Sequence, residues 1–259
     1  MFMDVRAKKK FGQHFLCDEE IAKRIADSIG RNLPILEIGA GTGVLTKFFL
    51  EQEDFISMDI DPDMLQLLKG KFPGSAAKFV QADFLNWKAE RFFKGEFNII
   101  GNFPYNISSQ IMFKVLEMRN CVQEVVGMFQ REVATRLSSG HGTKDYGILS
   151  VLLQVWYDAE YLFSVDSTAF SPPPKVQSGV VRFRRKASLR EDCNEAALKQ
   201  VVKSAFNQRR KMLRNSLSGI FHPDIMSGNE IFTRRPEQVS VEEFIELSKL
   251  AEAAKRDRK

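Results

Sequence analysis

Glycines at alternate positions follow a short apolar run and form the first candidate binding site. Gly39, Gly41 and Gly43 come directly after the run that contains Glu37. Glycine allows tight turns and lets backbone N–H groups approach a ligand closely. The spacing differs from the Gly-x-Gly-x-x-Gly of dinucleotide folds, and no Lys-Ser/Thr pair follows as in a P-loop. The pattern therefore favours a loop that binds a nucleoside over one that holds a triphosphate.

Acidic residues end the next two predicted strands. Asp59 and Asp83 each close an apolar run, and Phe84 follows Asp83. Since the carboxyl ends of parallel strands meet at one edge of a sheet, these acids and the glycine loop should share one cleft. We expect Asp59 to bind ribose hydroxyls, with Asp61 as a competitor, and Asp83 and Phe84 to bind an adenine. This spacing resembles that of S-adenosylmethionine-dependent methyltransferases.

The stretch Asn102-Phe103-Pro104-Tyr105 carries groups suited to chemistry on an amine. The exocyclic amine of adenine is a poor nucleophile because its lone pair is delocalised into the ring. A group that accepts its N–H hydrogens turns that lone pair toward a methyl donor. We expect the Asn102 side-chain oxygen and the main-chain carbonyl of Phe103 or Pro104 to be the acceptors, and Tyr105 to stack on a flipped base. The stretch resembles the signature of amino-methyltransferases that act on adenine or on a glutamine amide, and does not choose between them.

Other catalytic chemistries lack support in the sequence. The chain has three histidines and three cysteines, which are His14, His141, His222, Cys17, Cys121 and Cys193. None has metal-ligand spacing, and no nucleophile–base pair stands out. We therefore expect no metal. The scattered, odd number of cysteines argues against a disulfide framework and favours the reducing cytoplasm.

Motifs in one fixed order along the chain carry a closer resemblance. They are Lys10 to Leu16, Glu37 to Gly43, Gly101 to Ser108, Phe170 to Ser178, and Phe206 to Lys211. Together they resemble the ribosomal RNA adenine N6,N6-dimethyltransferases, most closely the small-subunit type. The resemblance implies transfer of methyl groups from S-adenosylmethionine to N6 of two adjacent adenines near the 3′ end of 16S ribosomal RNA. It also implies a role in maturation of the small subunit.

The resemblance, together with the motifs above, assigns roles to individual residues. The residues expected to bind the cofactor are His14, Leu16, Glu37, Gly39, Gly41, Asp59, Asp83, Phe84 and Asn102. The residues expected to act on the target adenine are Asn102, Pro104, Tyr105 and Phe170, with Tyr105 and Phe170 on either side of its ring. A pocket walled by Phe103, Tyr105 and Phe170 would leave room for a monomethylated amine. Asp59 stands where related sequences often carry the longer Glu.

The elements that must position these residues alternate between strands and helices. Apolar runs predict strands over 35–38, 55–59, 77–82, 97–101 and 122–129, and two later strands over 157–165 and 176–183. The predicted helices are one that follows Asp18, which can cap it, and those over 44–50, 62–69, 107–118 and 131–138. Strands separated by helices pair in parallel, so we expect an α/β, doubly wound sheet.

A change of pattern near Lys186 marks the expected domain boundary. The charged run of Arg182, Arg184, Arg185 and Lys186 is predicted to be a linker, and helices are predicted over 194–206, 210–217 and 240–255. We expect a Rossmann-like class I methyltransferase domain over 1–186 and a small all-helical domain over 187–259. The longest apolar runs are too short to cross a bilayer.

Positive charge offers candidate RNA contacts. The net charge is +5, which permits a polyanionic partner without requiring one. The basic clusters are Arg6, Lys8, Lys9 and Lys10; Arg182, Arg184 and Arg185; and Arg209, Arg210, Lys211 and Arg214. On a predicted helix Arg210 and Arg214 share a face. We expect at least one cluster to contact ribosomal RNA, and we expect the protein to act as a monomer.

Two alternatives remain open from the sequence. One is the large-subunit (23S) adenine methyltransferase of the macrolide-resistance type, whose glycine and Asn-x-Pro motifs are similar. Phe103, the motif from Phe170 to Ser178 and the Arg-rich tail favour the small subunit. The other alternative is a ribosome-assembly factor for which methylation is secondary.

Overall fold

The computed structural model describes residues 8, 11–187, 190 and 192–256. Three members of the predicted N-terminal basic cluster, Arg6, Lys9 and Lys10, lie outside these residues, as do 257–259 at the end of the chain.

Seven strands form the main sheet. They are β2 (Ile35–Ile38), β3 (Phe55–Asp59), β4 (Phe79–Gln81), β5 (Phe97–Asn102), β6 (Val122–Gln130), β7 (Tyr157–Val165) and β9 (Ser178–Arg185). Their order is β4-β3-β2-β5-β6-β9-β7. The first five pair in parallel, as the alternation with helices predicts, whereas β9 pairs antiparallel with β6. The sheet is therefore mixed. Within its parallel part the strand order reverses between β2 and β5, and α/β folds bind ligands at such a reversal.

A short second sheet and the helices complete the described elements. Strands β1 (Phe15–Leu16) and β8 (Phe170–Ser171) form an antiparallel pair. The α-helices are α1 (Glu19–Asp27), α2 (Pro62–Lys71), α3 (Ser108–Glu117), α4 (Arg131–Ser138), α5 (Ile148–Trp156), α6 (Glu195–Asn207), α7 (Leu213–Ser216), α8 (Pro223–Met226) and α9 (Val241–Arg256). Asp18 caps α1 as predicted, because its carboxylate accepts the N–H groups of Glu20 and Ile21.

Several predicted elements differ from those observed. The predicted helix over 44–50 is a single 3₁₀ turn, Thr46–Phe48, which is tightened by bonds from Phe48 N to Leu45 O and from Phe49 N to Thr46 O. Within the helix predicted over 210–217, only α7 is α-helical. Arg182, Arg184 and Arg185 belong to β9 and not to a linker. Helix α5 is not among the predicted elements, and its nine residues are all apolar except Ser150 and Gln154. Periodicity alone cannot distinguish a short apolar helix from a buried strand.

The chain forms two compact units. The first comprises Met1–Ala134 and Ala159–Arg185 and contains the parallel strands. The second comprises Thr135–Asp158 and Lys186–Lys259. The helical unit thus includes the internal segment 135–158. The boundary predicted near Lys186 assigns this segment to the first domain. Among the described residues, no helix is both long and apolar enough to span a bilayer.

Each unit has its own core. In the first, α1 buries Ala22, Ile25 and Ala26 within an apolar cluster that includes Leu16 and Phe170. In the second, aromatic rings pack in sequence from Tyr146 to Phe206 to Phe244, with centroids 6.0 and 5.8 Å apart. The side chains that line the cleft described next lie in the first unit.

Candidate active site

A cleft opens at the carboxyl ends of β2, β3 and β5. It is lined by residues 11–16, the glycine loop, the ends of β2 and β3, residues 82–84 after β4, and residues 102–105. All of the predicted cofactor-binding residues line it, together with Pro104 and Tyr105.

The glycine loop has the conformation that its composition predicts. Gly39, Gly41 and Gly43 have φ values of 75°, 52° and 81°, which side chains with a Cβ rarely adopt. The N–H groups of Gly39 and Ala40 donate to the Met58 carbonyl, and that of Gly41 donates to Oδ2 of Asp59 at 3.0 Å. The loop is thereby fastened to the end of β3.

Glu37 is a buried carboxylate beneath the loop. Its Oε2 accepts hydrogen bonds from Thr46 Oγ1 at 2.7 Å and Ser57 Oγ at 2.6 Å. Burial raises the pKa of this carboxyl to about 7, although the two hydroxyls oppose the shift. Sequence reasoning missed both hydroxyl partners. Ser57, a polar residue inside an apolar strand, was the available signal.

Asp59 and Asp61 have different surroundings. Asp59 accepts the N–H groups of Gly41 and Asp61, and burial raises its pKa. Asp61 is fully buried and lies outside the cleft lining. Its carboxylate caps α2 and binds side chains of the N-terminal segment. This arrangement favours Asp59 over Asp61 for a ribose.

The end of β4 carries the predicted adenine contacts. Asp83 caps a 3₁₀ turn, accepting the Leu85 N–H at 3.0 Å and the Asn86 side-chain amide at 2.7 Å. Phe84 is buried and stacks on Trp87 with centroids 6.3 Å apart. The position of both Asp83 and Phe84 in the cleft lining is therefore fixed by their neighbours.

Residues 11–16, which we call the N-terminal strap, lie along the cleft. A Cβ at Gly41 would lie 3.3 Å from the Phe15 ring, so the strap packs closely on the glycine loop. The His14 ring stacks on Tyr105 with centroids 5.6 Å apart, and its Nδ1 lies 2.9 Å from the Pro172 carbonyl. Leu16 pairs with Phe170 through β1 and β8.

The loop after β5 presents hydrogen-bond acceptors to the cleft. Asn102 Nδ2 donates to the His14 carbonyl at 2.9 Å. Within the described part of the chain, Asn102 Oδ1 and the Phe103 carbonyl have no hydrogen-bond donor, whereas the Pro104 carbonyl accepts the Ile107 N–H at 3.2 Å. The sequence did not decide whether the carbonyl of Phe103 or that of Pro104 accepts the target amine. Because the Pro104 carbonyl already accepts a hydrogen bond, the Phe103 carbonyl is the more available acceptor.

Two side chains near this loop are anchored by packing. The Phe103 ring is buried, and a Cβ at either Gly101 or Gly127 would lie within 2.7 Å of it. This ring therefore supports the loop from the core, and Phe103 also lines the cleft. Tyr105 is half-buried, and its hydroxyl lies 2.6 Å from Ser178 Oγ. Burial raises the pKa of Tyr105.

Phe170 is not brought to the cleft. Its ring is 4% exposed and belongs to the apolar cluster that contains Leu16. In this structure Tyr105 alone, of the two rings expected to sandwich an adenine, borders the cleft.

The basic clusters differ in how far their charges are neutralised. Arg210, Lys211 and Arg214 are exposed, while the Arg209 guanidinium donates to the Lys144 carbonyl. Arg210 and Lys211 precede α7, so the expectation that Arg210 and Arg214 share a helix face is wrong. On β9, three arginines form ion pairs with glutamates: Arg182 with Glu160, Arg184 with Glu124, and Arg185 with Glu96.

Among residues 8, 11–187, 190 and 192–256, no group of three or more His, Cys, Asp or Glu side chains could hold a metal ion.

Known proteins are similar to this chain in both sequence and fold. A family model described as ribosomal RNA adenine dimethylase matches residues 4–252. Ribosomal RNA small subunit methyltransferase A of Porphyromonas gingivalis is 51% identical over 96% of this chain and 98% of its own. The Flavobacterium johnsoniae protein of the same name is 49% identical over 96% of this chain and 97% of its own.

Two crystal structures are similar along most of the chain. A dimethyladenosine transferase from Plasmodium falciparum has a TM-score of 0.80 and 25% identity, covering 94% of this chain and 98% of its own. The 23S rRNA methyltransferase ErmE has a TM-score of 0.69 and 27% identity, covering 90% of this chain and 98% of its own.

Proposed function

Because this chain belongs to the ribosomal RNA adenine dimethylase family, we propose that it methylates N6 of two adjacent adenines near the 3′ end of small-subunit ribosomal RNA. The methyl donor is S-adenosylmethionine, and the product is N6,N6-dimethyladenosine. The family model spans almost the whole chain, and relatives about half identical to it are named as small-subunit methyltransferases.

The cleft suits S-adenosylmethionine. Its carboxylates, Glu37, Asp59 and Asp83, match a ligand that carries ribose hydroxyls, an adenine amino group and positive charge. Asp59 would bind the ribose, and Asp83 and Phe84 the adenine. Glu37, Gly39, Gly41, His14 and Leu16 would complete the site. When bound, S-adenosylmethionine would supply a methyl group on a sulfonium sulfur, and transfer of that methyl would break the methyl–sulfur bond and release S-adenosylhomocysteine without a covalent enzyme intermediate.

The observation that carries the proposal is the pair of acceptors without donors at the cleft. Among the described residues, nothing donates to Asn102 Oδ1 or the Phe103 carbonyl, so both are available to accept the two N–H hydrogens of an adenine amine. Accepting both makes the nitrogen more tetrahedral and turns its lone pair into the cleft. Pro104 restricts the backbone between these acceptors and Tyr105, so the geometry is set before the substrate arrives.

The target adenine would stack on Tyr105. An unpaired adenine costs least to bring into such a pocket. Phe170 would reach the second face of the base only if its ring left the apolar cluster, so we propose that role for an RNA-bound state. The exposed cations Arg210, Lys211 and Arg214 would bind the RNA backbone, with Arg209 beside them.

The small subunit is favoured over the large one by the named relatives. Those near 50% identity act, by name, on the small subunit, whereas ErmE, named for 23S ribosomal RNA, is 27% identical. We further infer a monomer that works in the cytoplasm on the small subunit. The second unit would serve as its RNA- or subunit-contacting domain.

Mass spectrometry of ribosomal RNA tests the proposal. Purified small and large subunits lacking these methyl groups are each incubated with the enzyme and labelled S-adenosylmethionine. We expect up to two methyl groups on each of two adjacent adenines of the small-subunit RNA. Label only on large-subunit RNA, or on another base, would overturn the proposal. Asn102→Ala is the matched control and should bind small subunits without transferring label. Near-normal transfer by it would contradict the amine-acceptor mechanism.

A further inference from the structure

Asp61 is a buried carboxylate that has no place in the cofactor cleft. It is completely buried, and it accepts hydrogen bonds from Lys8 Nζ at 2.7 Å, Gln13 Nε2 at 3.1 Å and the Asp63 N–H at 3.2 Å. A buried charge is costly unless it is paired and hydrogen-bonded. Because two of these three donors come from the N-terminal segment, the satisfaction of Asp61 depends on where that segment lies.

Gln13 is the strap residue through which this contact acts. Its Nε2 donates to Asp61 Oδ2, and its Oε1 accepts the Lys8 N–H at 2.8 Å. Both ends of the amide are therefore engaged, so its orientation is fixed. The next residue, His14, presents the carbonyl that accepts Asn102 Nδ2. Asp61 thus restrains the strap one residue away from the contact with Asn102.

The orientation of the Asn102 amide matters because its two ends have similar shapes but opposite hydrogen-bonding roles. In the proposed reaction Oδ1 must face the adenine amine, which is itself a donor. Among the described residues, the His14 carbonyl is the one partner that distinguishes Nδ2 from Oδ1. If the strap moved away, the amide could rotate and set a donor against a donor.

We propose that Gln13 and Asp61 are positioning residues that hold the strap so that the His14 carbonyl keeps Asn102 Oδ1 directed at the target amine. This inference rests on the proposed function. The Asp61 N–H also donates to Asp59 Oδ1 at 2.8 Å. One residue therefore supports both the proposed ribose ligand and, through the strap, the proposed amine acceptor.

Asp61→Asn is the test variant that best preserves the fold. Asn has nearly the same volume as Asp and is an equally good N-cap for α2. Its amide nitrogen, however, would face Gln13 Nε2 as donor against donor. We expect kcat for methyl transfer to fall at least tenfold, with little change in KM for small subunits. In the cofactor-free protein, we expect faster hydrogen exchange of the Asn102 side-chain amide, measured by ¹⁵N NMR.

The exchanged pair Asp61→Asn with Gln13→Glu should restore function. The amide introduced at position 61 would then donate to the carboxylate introduced at position 13, and the total charge would be unchanged. We expect this double variant to recover most of kcat and the slow exchange of the Asn102 amide. Asp63→Asn is the matched control, since Asp63 contacts Lys8 from an exposed position. It should leave both readouts near wild type.

The readouts separate the possible failures. Unchanged kcat and unchanged Asn102 exchange in Asp61→Asn would overturn the inference. A rise in the cofactor KM alone would also overturn it, because it would limit Asp61 to supporting the ribose site. If Asp61→Asn does not fold, Gln13→Ala replaces it with the same expectations. If the wild type methylates no adenine, the proposed function fails, while the exchange measurement still tests the strap.

Discussion

The hydroxyl of Tyr105 lies 2.6 Å from Oγ of Ser178, a completely buried residue at the first position of β9. Ser178 is in turn paired with Gln130 on β6. The Tyr105 ring also stacks against His14. Its orientation is therefore set by the sheet through one hydrogen bond and by the strap through one ring contact. A ring held in this way can receive a base without first losing rotamer freedom.

Removing either hydroxyl of this pair should slow methyl transfer modestly and to a similar degree. A hydrogen bond of this kind is worth about 0.5–1.5 kcal/mol, so we expect Tyr105→Phe and Ser178→Ala each to lower kcat by about two- to tenfold. Tyr105→Ala also removes the stacking surface, which is worth about 1–3 kcal/mol per base, and should lower kcat by up to about a hundredfold. Single-turnover transfer to small subunits measures all three.

The double variant Tyr105→Phe with Ser178→Ala supplies the control. If the two hydroxyls act through each other, the double variant should be no slower than the slower single variant. If the decreases in kcat of the two single variants multiply in the double variant, Ser178 does not position Tyr105 through this hydrogen bond.

Much of the parallel half of the fold follows from local sequence. The strands at 35–38 and 55–59 are short apolar runs bounded by turn residues, and their predicted bounds are those observed. Asp18 and Pro62 mark helix starts through capping and through the fixed φ of proline. The clustering of Asp59, Asp83 and Asn102 follows from parallel strands ending at one edge.

Features set by distant contacts could not be predicted. Arg184 lies on β9 and pairs with Glu124 on β6, sixty positions earlier. The sequence predicts that the Phe170 ring is available to stack on a base. The pairing of Phe170 with Leu16 instead places that ring in the apolar core. The Asp61 contact with Gln13 spans 48 positions and links two polar residues without any periodic pattern. Each of these requires the tertiary fold before its partner is known.

Adding a methyl group at Gly127 should displace the loop that carries Asn102. A Cβ there would lie 2.4 Å from the Phe103 ring and 2.8 Å from the Phe129 ring. Overpacking of this kind costs about 1–3 kcal/mol, so we expect Gly127→Ala to lower the melting temperature and to reduce kcat. Gly140→Ala is the matched control, because a Cβ at Gly140 meets open space. Equal melting temperatures for the two variants would contradict the packing argument.

The buried Glu37 should make stability fall as pH rises. Burial raises its pKa from 4.5 to about 7, so between these values the unfolded chain has released a proton that the folded protein keeps. The free energy of unfolding therefore decreases across this interval. Glu37→Gln cannot ionise. Relative to the wild type, we expect its stability to rise by up to about 3 kcal/mol from about pH 5 to about pH 8.

Thermal unfolding of cofactor-free protein at several pH values measures this difference. Glu90→Gln, at an exposed position, controls for the general effect of removing a carboxylate. A constant difference between Glu37→Gln and the wild type would mean that Glu37 is already ionised at the lowest pH.

Loss of the Asp59 carboxylate should weaken cofactor binding. It is proposed to bind ribose, and it also holds the Gly41 and Asp61 N–H groups. Hydrogen bonds to charged groups are worth about 1.5–3 kcal/mol, so we expect Asp59→Ala to raise Kd for S-adenosylhomocysteine about ten- to a hundredfold. Asp59→Glu keeps a carboxylate and should bind more tightly than Asp59→Ala. Calorimetry measures each Kd, and an unchanged Kd for Asp59→Ala would exclude this residue as the ribose ligand.

Neutralising the exposed cations before α7 should reduce the salt dependence of RNA binding. Each phosphate contact adds about 0.7–0.9 to the slope of log K against log salt concentration, so Arg210→Gln with Lys211→Gln should lower the slope by about 1.5. Anisotropy titrations of labelled small-subunit RNA across a salt series measure it. Lys203→Gln, at an exposed position on α6, is the control and should leave the slope unchanged. If the wild type, the double variant and Lys203→Gln all have the same slope, the RNA backbone contacts residues other than Arg210 and Lys211. A lower slope with unchanged kcat at saturating RNA would assign these cations to binding alone.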